Sequence, residues 1–149
     1  MVFVRKIHSF GANRDKMVDL WVTYCRSVLE QSAVLWQGGL TLENRKSLER
    51  TQKSFAKLIL KRRYTNYEQA LSTLKLEKLD RRRDQLCLKF ARKCLTNKKT
   101  AHMFPLSKEK HTYSMRKIRK YNIHQANTER MKKSPIVYMQ TFLNKHHED

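Results

Sequence analysis

Apolar residues recur at intervals of three and four along most of this chain, which is the pattern of amphipathic helices. The first such segment runs from about Asp15 through Glu30, with an extension to Trp36 left open. Asn13 or Asp15 can cap its start, and Gly38 and Gly39 end it. Its apolar positions form two adjacent stripes, Met17, Leu20, Trp21, Tyr24 and Val28 in one and Val18, Val22, Cys25 and Leu29 in the other. A helix with so broad an apolar surface is either central in its own domain or packed against something on both flanks.

Four further helices are predicted from the same periodicity and from capping residues. The first of these begins after Thr41 and reaches about Leu60, and the second runs from Tyr67, with Asn66 as its cap, to about Leu74. The third spans Leu79 or Asp80 to about Asn97, and the last begins with Ser134 as N-cap and Pro135 at the first helical position. On the outer side of the second helix, Glu49 and Lys53 are spaced to form an i,i+4 ion pair. The Leu79–Asn97 segment places apolar residues on one face and cations on the other, so it predicts a basic stripe on a packed helix.

The predicted fold is all-α, a small bundle of four or five helices with a basic, partly irregular segment before a short C-terminal helix. Residues 13–106 form the predicted helical domain, residues 107–133 a basic loop or linker, and residues 134–149 the C-terminal helix and tail. The loop is predicted because residues 107–133 contain few aliphatic side chains and the basic run Arg116 to Lys120. Such a segment either remains a loop or becomes ordered on a partner.

The charge balance points to a polyanionic partner. Thirty-three Lys and Arg residues against thirteen Asp and Glu residues give a net charge of +20, and residues 1–40, 41–80 and 81–149 contribute +2, +5 and +13. A basic excess of this kind favours binding to phosphate, in nucleic acid or on an anionic membrane. We expect no membrane partner, because no stretch approaches the roughly 20 apolar residues of a spanning helix. The N-terminus has no signal peptide pattern, so an intracellular location is predicted.

The basic residues cluster where the predicted helices end or turn outward. Lys and Arg side chains would meet backbone phosphates, and Tyr121 offers a ring on which an exposed base can stack. Two alternatives remain open: the charges only keep the domain soluble, and tyrosines such as Tyr113 and Tyr121 only anchor the loop to the core. The residues predicted to contact nucleic acid are Lys61, Arg62, Arg63, Arg81, Arg82, Arg83, Lys89, Arg92, Lys93, Lys98, Lys99, Arg116, Lys117, Arg119, Lys120 and Tyr121.

No arrangement of residues predicts catalysis, a metal site or a cofactor. Two-metal phosphoryl transfer needs clustered carboxylates, whereas Asp80 and Asp84 share a helix face with three arginines between them. Cys87 and Cys94 are too far apart for a typical zinc ligand pair, and Cys25 makes the cysteine count odd, so buried free thiols are expected. The chain has no Gly-rich phosphate loop and no nucleophile motif. We therefore predict no enzyme activity, no cofactor and no small-molecule substrate.

The order of helices and loops from Arg26 to Leu95, including "AVLWQGGLTLENRKSLERTQKSFAKLIL", resembles the segment downstream of the polymerase core in reverse transcriptases of jockey-type non-LTR retrotransposons. "RKIHSFGA" at residues 5–12 is similar to the end of the family's thumb, and "NTERMKKSPIVYMQTFLN" at residues 127–144 to its C-terminus. The resemblance implies a C-terminal, post-thumb fragment of an RNA-directed DNA polymerase, with the catalytic motifs lying before Met1.

The resemblance also implies partners: RNA or single-stranded nucleic acid, the template–primer duplex, and the upstream polymerase core. The location that it implies is the nucleus or the cytoplasm, as a ribonucleoprotein. Two alternatives stand beside this function. The chain is either an interaction domain whose first helix docks on the rest of a reverse transcriptase or on a second copy, or a decayed element fragment without a function.

Overall fold

In the computed structural model the chain is all-α, as predicted. The structure describes residues 6, 9, 11–107 and 119–146. Three short 3-10 turns, at Gln37–Gly39, Lys61–Arg63 and Ala101–Met103, connect the helices. The helices are α1 (Arg14–Leu20), continued by a π-helical turn (Trp21–Arg26) into α2 (Ser27–Glu30), then α3 (Ala33–Trp36), α4 (Leu42–Leu60), α5 (Tyr67–Leu74), α6 (Leu79–Thr96), α7 (Glu129–Lys132) and α8 (Pro135–Lys145).

The chain divides into two compact units. Unit 1 comprises Met1–Ala33 and Leu40–Arg83, and unit 2 comprises Val34–Gly39 and Asp84–Asp149. The boundary between the units falls inside the long helix α6. Each unit has a hydrophobic core of its own.

The core of unit 1 is built on an aromatic pair from α4 and the π-helical turn. The rings of Trp21 and Phe55 stack with centroids 4.3 Å apart, and both side chains are buried. Offset stacking of two buried aromatic rings adds about 1 kcal/mol beyond the burial of their area. Around the pair lie the buried side chains Met17, Ala56, Leu60, Ala70, Leu71, Leu74 and Leu76.

Short polar side chains set the helix starts, as the sequence predicted. The Thr41 hydroxyl accepts a hydrogen bond from the backbone N–H of Asn44 at 3.2 Å, and the Asn66 side chain accepts one from Gln69 at 2.8 Å. Pro135 occupies the first turn of α8, where its fixed φ suits the helix. Asn13 and Ser134 stand at their helix starts without a side-chain cap hydrogen bond.

The first predicted helix departs from expectation in two ways. It contains a π-helical turn, in which i→i+5 bonding widens the helix and shifts the positions that follow. Met17 and Trp21 are therefore buried, whereas Tyr24 and Val28 of the same predicted stripe are 62% and 69% exposed. The helix also stops at Glu30, because Ser32 adopts a positive φ of 53°, so it does not extend to Trp36 without a break.

Unit 2 has a core centred on the inner face of α6 and on α8. Its buried side chains are Cys87, Ala91, Cys94, Phe104, Tyr121, Met139 and Leu143. Cys87 and Cys94 are buried in this core and Cys25 is half-buried in unit 1, and none of the three forms a disulfide bond. Phe90 is also an apolar residue of α6, but its side chain is 45% exposed.

Residues 119–133 are attached to α8 by side-chain amides. The Asn144 side chain accepts a hydrogen bond from the backbone N–H of Tyr121 and donates one to its carbonyl, both at 2.9 Å. Gln140, fully buried, accepts from the backbone N–H of His124 at 2.9 Å and donates to the carbonyl of Met103 at 2.7 Å. This part of the predicted loop contacts α8 and contains the short helix α7, and residues 108–118 lie outside the described residues.

Gly38 is needed where the chain of unit 2 passes close to α8. A Cβ atom at this position would lie 2.8 Å from Cβ of Tyr138 and 3.0 Å from the carbonyl oxygen of Lys133. No side chain fits in this space without displacing Tyr138 of α8 or the backbone of Lys133. The sequence predicted Gly38 only as a helix terminator, so the structure gives it a second role.

Candidate nucleic-acid interface

The second half of α6 presents cations away from the core of unit 2. Because Cys87, Ala91 and Cys94 are buried, the 3.6-residue period of the helix turns the intervening side chains outward. Lys98 and Lys99 follow in the turn after the helix, and they too are exposed. We call this surface the α6 basic face, and its exposed members are Lys89, Arg92, Lys93, Lys98 and Lys99.

The turn after α6 is fixed by two polar side chains. The Thr100 hydroxyl donates to the carbonyl of Cys94 at 2.9 Å, which satisfies an acceptor at the end of the helix. The Asn97 side chain accepts from the backbone N–H of Lys99 at 3.0 Å. The two lysines of the turn are therefore held on a defined backbone next to the helix.

The carboxylates of α6 are engaged within their own units. Asp84, in unit 2, accepts hydrogen bonds from Gln37 Nε2 at 2.8 Å and from the Tyr138 hydroxyl at 2.7 Å. Asp80, in unit 1, pairs with Arg45 at 2.7 Å and with Arg83 at 3.4 Å. Both side chains are at least partly buried, so they leave the α6 basic face without a neutralising acid from its own helix.

The three consecutive arginines at the start of α6 have three different environments. Arg81 is exposed, as a phosphate-binding residue must be. Arg82 lies with Nε 2.6 Å from Glu30 Oε1, so it forms an ion pair within unit 1. Arg83 is fully buried and pairs with Asp80, which corrects its prediction as a nucleic-acid contact, because its guanidinium has no access to a ligand. The triplet therefore supplies one accessible cation.

Glu30 serves two arginines of unit 1. Its Oε1 atom lies 2.6 Å from Arg82 and 3.8 Å from Nε of Arg26. Burial, followed by the positive charge of Arg82, lowers the pKa of Arg26 from its ordinary value, while Glu30 acts in the opposite direction. The three side chains form an ion-pair cluster inside unit 1, so Arg82 is not among the cations that are available to a phosphate.

Tyr121 belongs to the core of unit 2. Its side chain is 9% exposed and packs among the buried residues of that unit, so its ring is not available to stack on a base. This corrects the prediction in favour of the alternative in which the tyrosine anchors the chain. Lys120 next to it is exposed, with Nζ 5.8 Å from the centroid of the ring.

The remaining predicted contacts are divided between two exposed segments and one that is not described. Lys61, Arg62 and Arg63 form an exposed 3-10 turn directly after α4. Arg119 and Lys120 are exposed beside the bridge between Leu106 and Tyr121, where Ser107 N–H donates to the Lys120 carbonyl at 2.8 Å. Arg116, Lys117 and Tyr113 lie outside the described residues.

Sequence reasoning missed a group of cations on α4. Lys46, Arg50, Lys53 and Lys57 are all exposed, at spacings of four, three and four residues. Their helical spacing in the sequence is the feature that could have identified them as one surface. Lys53 was instead assigned to a pair with Glu49, and this was wrong, because the Glu49 carboxylate accepts hydrogen bonds from Tyr67 and from the start of α6.

Other classes of site have little support in the described part of the chain. Among residues 6, 9, 11–107 and 119–146, no three His, Cys, Asp or Glu side chains are grouped so that they could hold a metal ion. Within the same residues, the helices are too short or too polar to cross a bilayer. Comparison of the chain with protein-family models, with curated proteins and with solved structures found no match.

Proposed function

We propose that this chain binds RNA or the template–primer through backbone phosphates, as the C-terminal, post-thumb region of a jockey-type non-LTR retrotransposon reverse transcriptase. The observation that carries the proposal is the α6 basic face. Five exposed cations lie on the second half of α6 and in the turn after it, while both carboxylates of α6 bind partners away from this face. Clustered cations that no carboxylate of their own helix neutralises favour a polyanion over a protein surface of mixed charge. Little sequence preference is expected, because phosphates carry no sequence information.

The binding test is fluorescence anisotropy of a labelled single-stranded RNA, with titrations at several salt concentrations. Six phosphate contacts to a single strand would weaken binding by roughly 300-fold between 50 and 200 mM salt. The variant Lys89→Gln/Arg92→Gln/Lys93→Gln should lower the slope of log K against log salt by about 2, since each contact to a single strand contributes about 0.7.

The matched control removes three exposed cations from other helices of the same unit, as Arg130→Gln/Lys132→Gln/Lys145→Gln. It should change the slope by less than the α6 variant does. Equal effects of the two variants would mean that net charge alone attracts RNA. Absence of salt-dependent RNA binding by the unaltered chain would contradict the proposed function itself.

We further propose that the chain has no polymerase activity alone. Two-metal catalysis needs carboxylates that are free to hold two cations. The support is that Asp80 and Asp84 are occupied by arginine, glutamine and tyrosine partners in their own units. Incorporation of deoxynucleotides by the purified chain above that of a mock preparation would contradict this proposal.

One observation favours a second candidate, an interaction role for the first helical segment. Tyr24 and Val28 lie one turn apart in unit 1 and are 62% and 69% exposed. An apolar interface with a second copy of the chain would be insensitive to salt, unlike phosphate binding. Sedimentation equilibrium at 50 and 500 mM salt tests it: association that persists in high salt and is lost in Tyr24→Ser/Val28→Ser supports this role, and a monomer at all concentrations contradicts it.

A further inference from the structure

Helix α4 carries a straight row of cations along its solvent side. We call the exposed residues Lys46, Arg50, Lys53 and Lys57 the α4 basic row. At about 100° per residue, the four side chains fall within an arc of roughly 60°. At about 1.5 Å per residue, they extend over roughly 16 Å of the helix axis. The opposite side of α4 is fixed, because Gln52, Phe55, Ala56 and Leu60 are buried in unit 1.

The α4 basic row has no acidic partner on its helix. α4 contains two carboxylates, Glu43 and Glu49. Glu49 is directed inward to Tyr67 and to the backbone N–H groups of Leu79 and Asp80. Glu43 lies in the first turn, before the row begins. Within the described residues none of the four cations of the row forms an ion pair.

One cation of the same helix, Arg45, has a structural role instead. Arg45 is only partly exposed, and its guanidinium is 2.7 Å from Asp80, so it is used inside unit 1. Members of the row point away from that contact and are neighbours of one another at i,i+3 and i,i+4. Like charges at these spacings destabilise an isolated helix. A row that opposes helix stability and pairs with no described acid is therefore better explained by a ligand than by folding.

The row continues into further groups suited to nucleic acid. α4 ends in the exposed turn of Lys61, Arg62 and Arg63, so the cations extend beyond the last helical turn. Lys57 Nζ lies 5.5 Å from the centroid of the Tyr64 ring, which is half-buried at the end of this turn. Cations that follow a backbone and end beside an aromatic ring are typical of sites for single strands.

We propose that the α4 basic row is a second phosphate-binding site, which holds the backbone of single-stranded RNA along the axis of α4. The proposal rests on the proposed function, because it names a further surface and the form of nucleic acid that this surface takes. Successive members are separated by about 4.5 to 6 Å along the axis, so each can neutralise a different phosphate of one extended strand. Four such contacts make α4 a contributor of its own to the affinity.

The experiment compares three variants that all remove surface charge, with a fluorescein-labelled single-stranded RNA of 20 nucleotides as the probe. The row variant is K46Q/R50Q/K53Q/K57Q, and the matched control R14Q/K16Q/K75Q/K78Q removes four exposed cations from other parts of unit 1. The third variant is the triple glutamine variant of the α6 basic face. Far-ultraviolet circular dichroism checks that each variant keeps the helix content of the parent.

The row variant should lower the salt slope by about 2.8, which corresponds to four contacts of about 0.7 each. At 0.1 M salt the same loss weakens binding by a few hundredfold. The control variant should change the slope by less than one. A row variant with an unchanged slope, beside an α6 variant with a reduced one, overturns this inference and leaves the proposed function standing.

Two further probes, a DNA duplex and phosphatidylserine vesicles, distinguish binding of single-stranded RNA from binding of duplex DNA or of a membrane. If the unaltered chain does not bind the RNA at all, the inference and the proposed function fail together. If the row variant loses affinity only for a 20-base-pair DNA duplex, the assignment to single strands is overturned. If it loses affinity for phosphatidylserine vesicles and keeps its affinity for RNA, the row is a membrane contact and the inference is wrong.

Discussion

Replacing Glu49 by glutamine tests how unit 1 is held together. The Glu49 carboxylate accepts a hydrogen bond from the Tyr67 hydroxyl at 2.5 Å. It also lies 3.3 and 3.4 Å from the backbone nitrogens of Leu79 and Asp80, the first residues of α6. A negative charge at this position satisfies N–H groups that have no partner within the helix and interacts favourably with the helix dipole. Glu49 thus connects α4, α5 and α6.

The expected loss follows from these contacts. Glutamine keeps the shape of the side chain, but it turns a charge-assisted hydrogen bond into a neutral one, which costs about 1 kcal/mol. Loss of the charge at the start of α6 costs roughly another 0.3 to 1 kcal/mol. The free energy of unfolding of Glu49→Gln should therefore fall by about 1.3 to 2 kcal/mol, and the melting temperature by about 3 to 8 °C. Glu49→Ala should lose more, because the Tyr67 hydroxyl and two N–H groups lose their acceptor.

Urea unfolding followed by circular dichroism at 222 nm gives these free energies, and two controls make the result specific. Glu77→Gln removes an exposed carboxylate from the connection between α5 and α6, and it should change stability by less than about 0.5 kcal/mol. Lys53→Gln should be equally mild, because Glu49 does not pair with Lys53. The reasoning is refuted if Glu49→Gln is no more destabilising than Glu77→Gln, or if Lys53→Gln costs as much as Glu49→Gln.

Two further predictions concern single positions. Gly38→Ala should lower the free energy of unfolding by about 1 to 3 kcal/mol, because the added Cβ would meet Cβ of Tyr138 at 2.8 Å; an unchanged thermal melting curve would contradict this. Burial and the hydrogen bond to Glu49 raise the pKa of Tyr67 in the folded chain. The neutral Tyr67 hydroxyl therefore contributes fully to stability below the pKa of about 10 that tyrosine has in the unfolded chain, and this contribution is lost as the pH rises above that value. Between pH 9 and 11 the unaltered chain should therefore lose stability more steeply than Tyr67→Phe, and parallel losses in urea unfolding would rule out the proposed role of Tyr67.

Features determined by neighbouring residues were predictable from the sequence. Thr41, Asn66 and Pro135 act on the backbone within three residues of themselves, so the starts of α4, α5 and α8 follow from local chemistry. The inner face of α6 was predictable for the same reason, since Cys87 and Cys94 lie at helical spacing.

Features that depend on distant partners were not predictable in this way. Asp84 contacts Tyr138, 54 positions away in the sequence, and Gln140 contacts Met103, 37 positions away. A charged or amide side chain is expected on the surface until its partner is known, so the inward positions of Glu49 and Arg83 could not be inferred. The π-helical turn that begins at Trp21 was also not predictable, because the 3.6-residue period does not indicate it.

For the candidate site, the sequence predicted the type of residue better than the individual residues. The basic excess of the C-terminal half predicted outward cations on α6, and Lys89, Arg92 and Lys93 are exposed there. Arg83 and Tyr121 were included because runs of basic and aromatic residues do not distinguish a side chain used inside the fold from one presented to a ligand. The spacing of the α4 basic row can be read from the sequence, but that Glu49 does not pair with this row follows only from its inward direction in the structure.

The division of the chain into two units gives each unit its own fluorescent reporter. Trp21 lies in unit 1, stacked on Phe55, and Trp36, the other tryptophan of the sequence, precedes the 3-10 turn of unit 2. A Trp36→Phe chain emits from Trp21 alone, so its fluorescence follows the unfolding of unit 1, while circular dichroism follows both units. Coincidence of the two transitions would show that the units unfold as one cooperative system, and separate midpoints would give each unit its own stability.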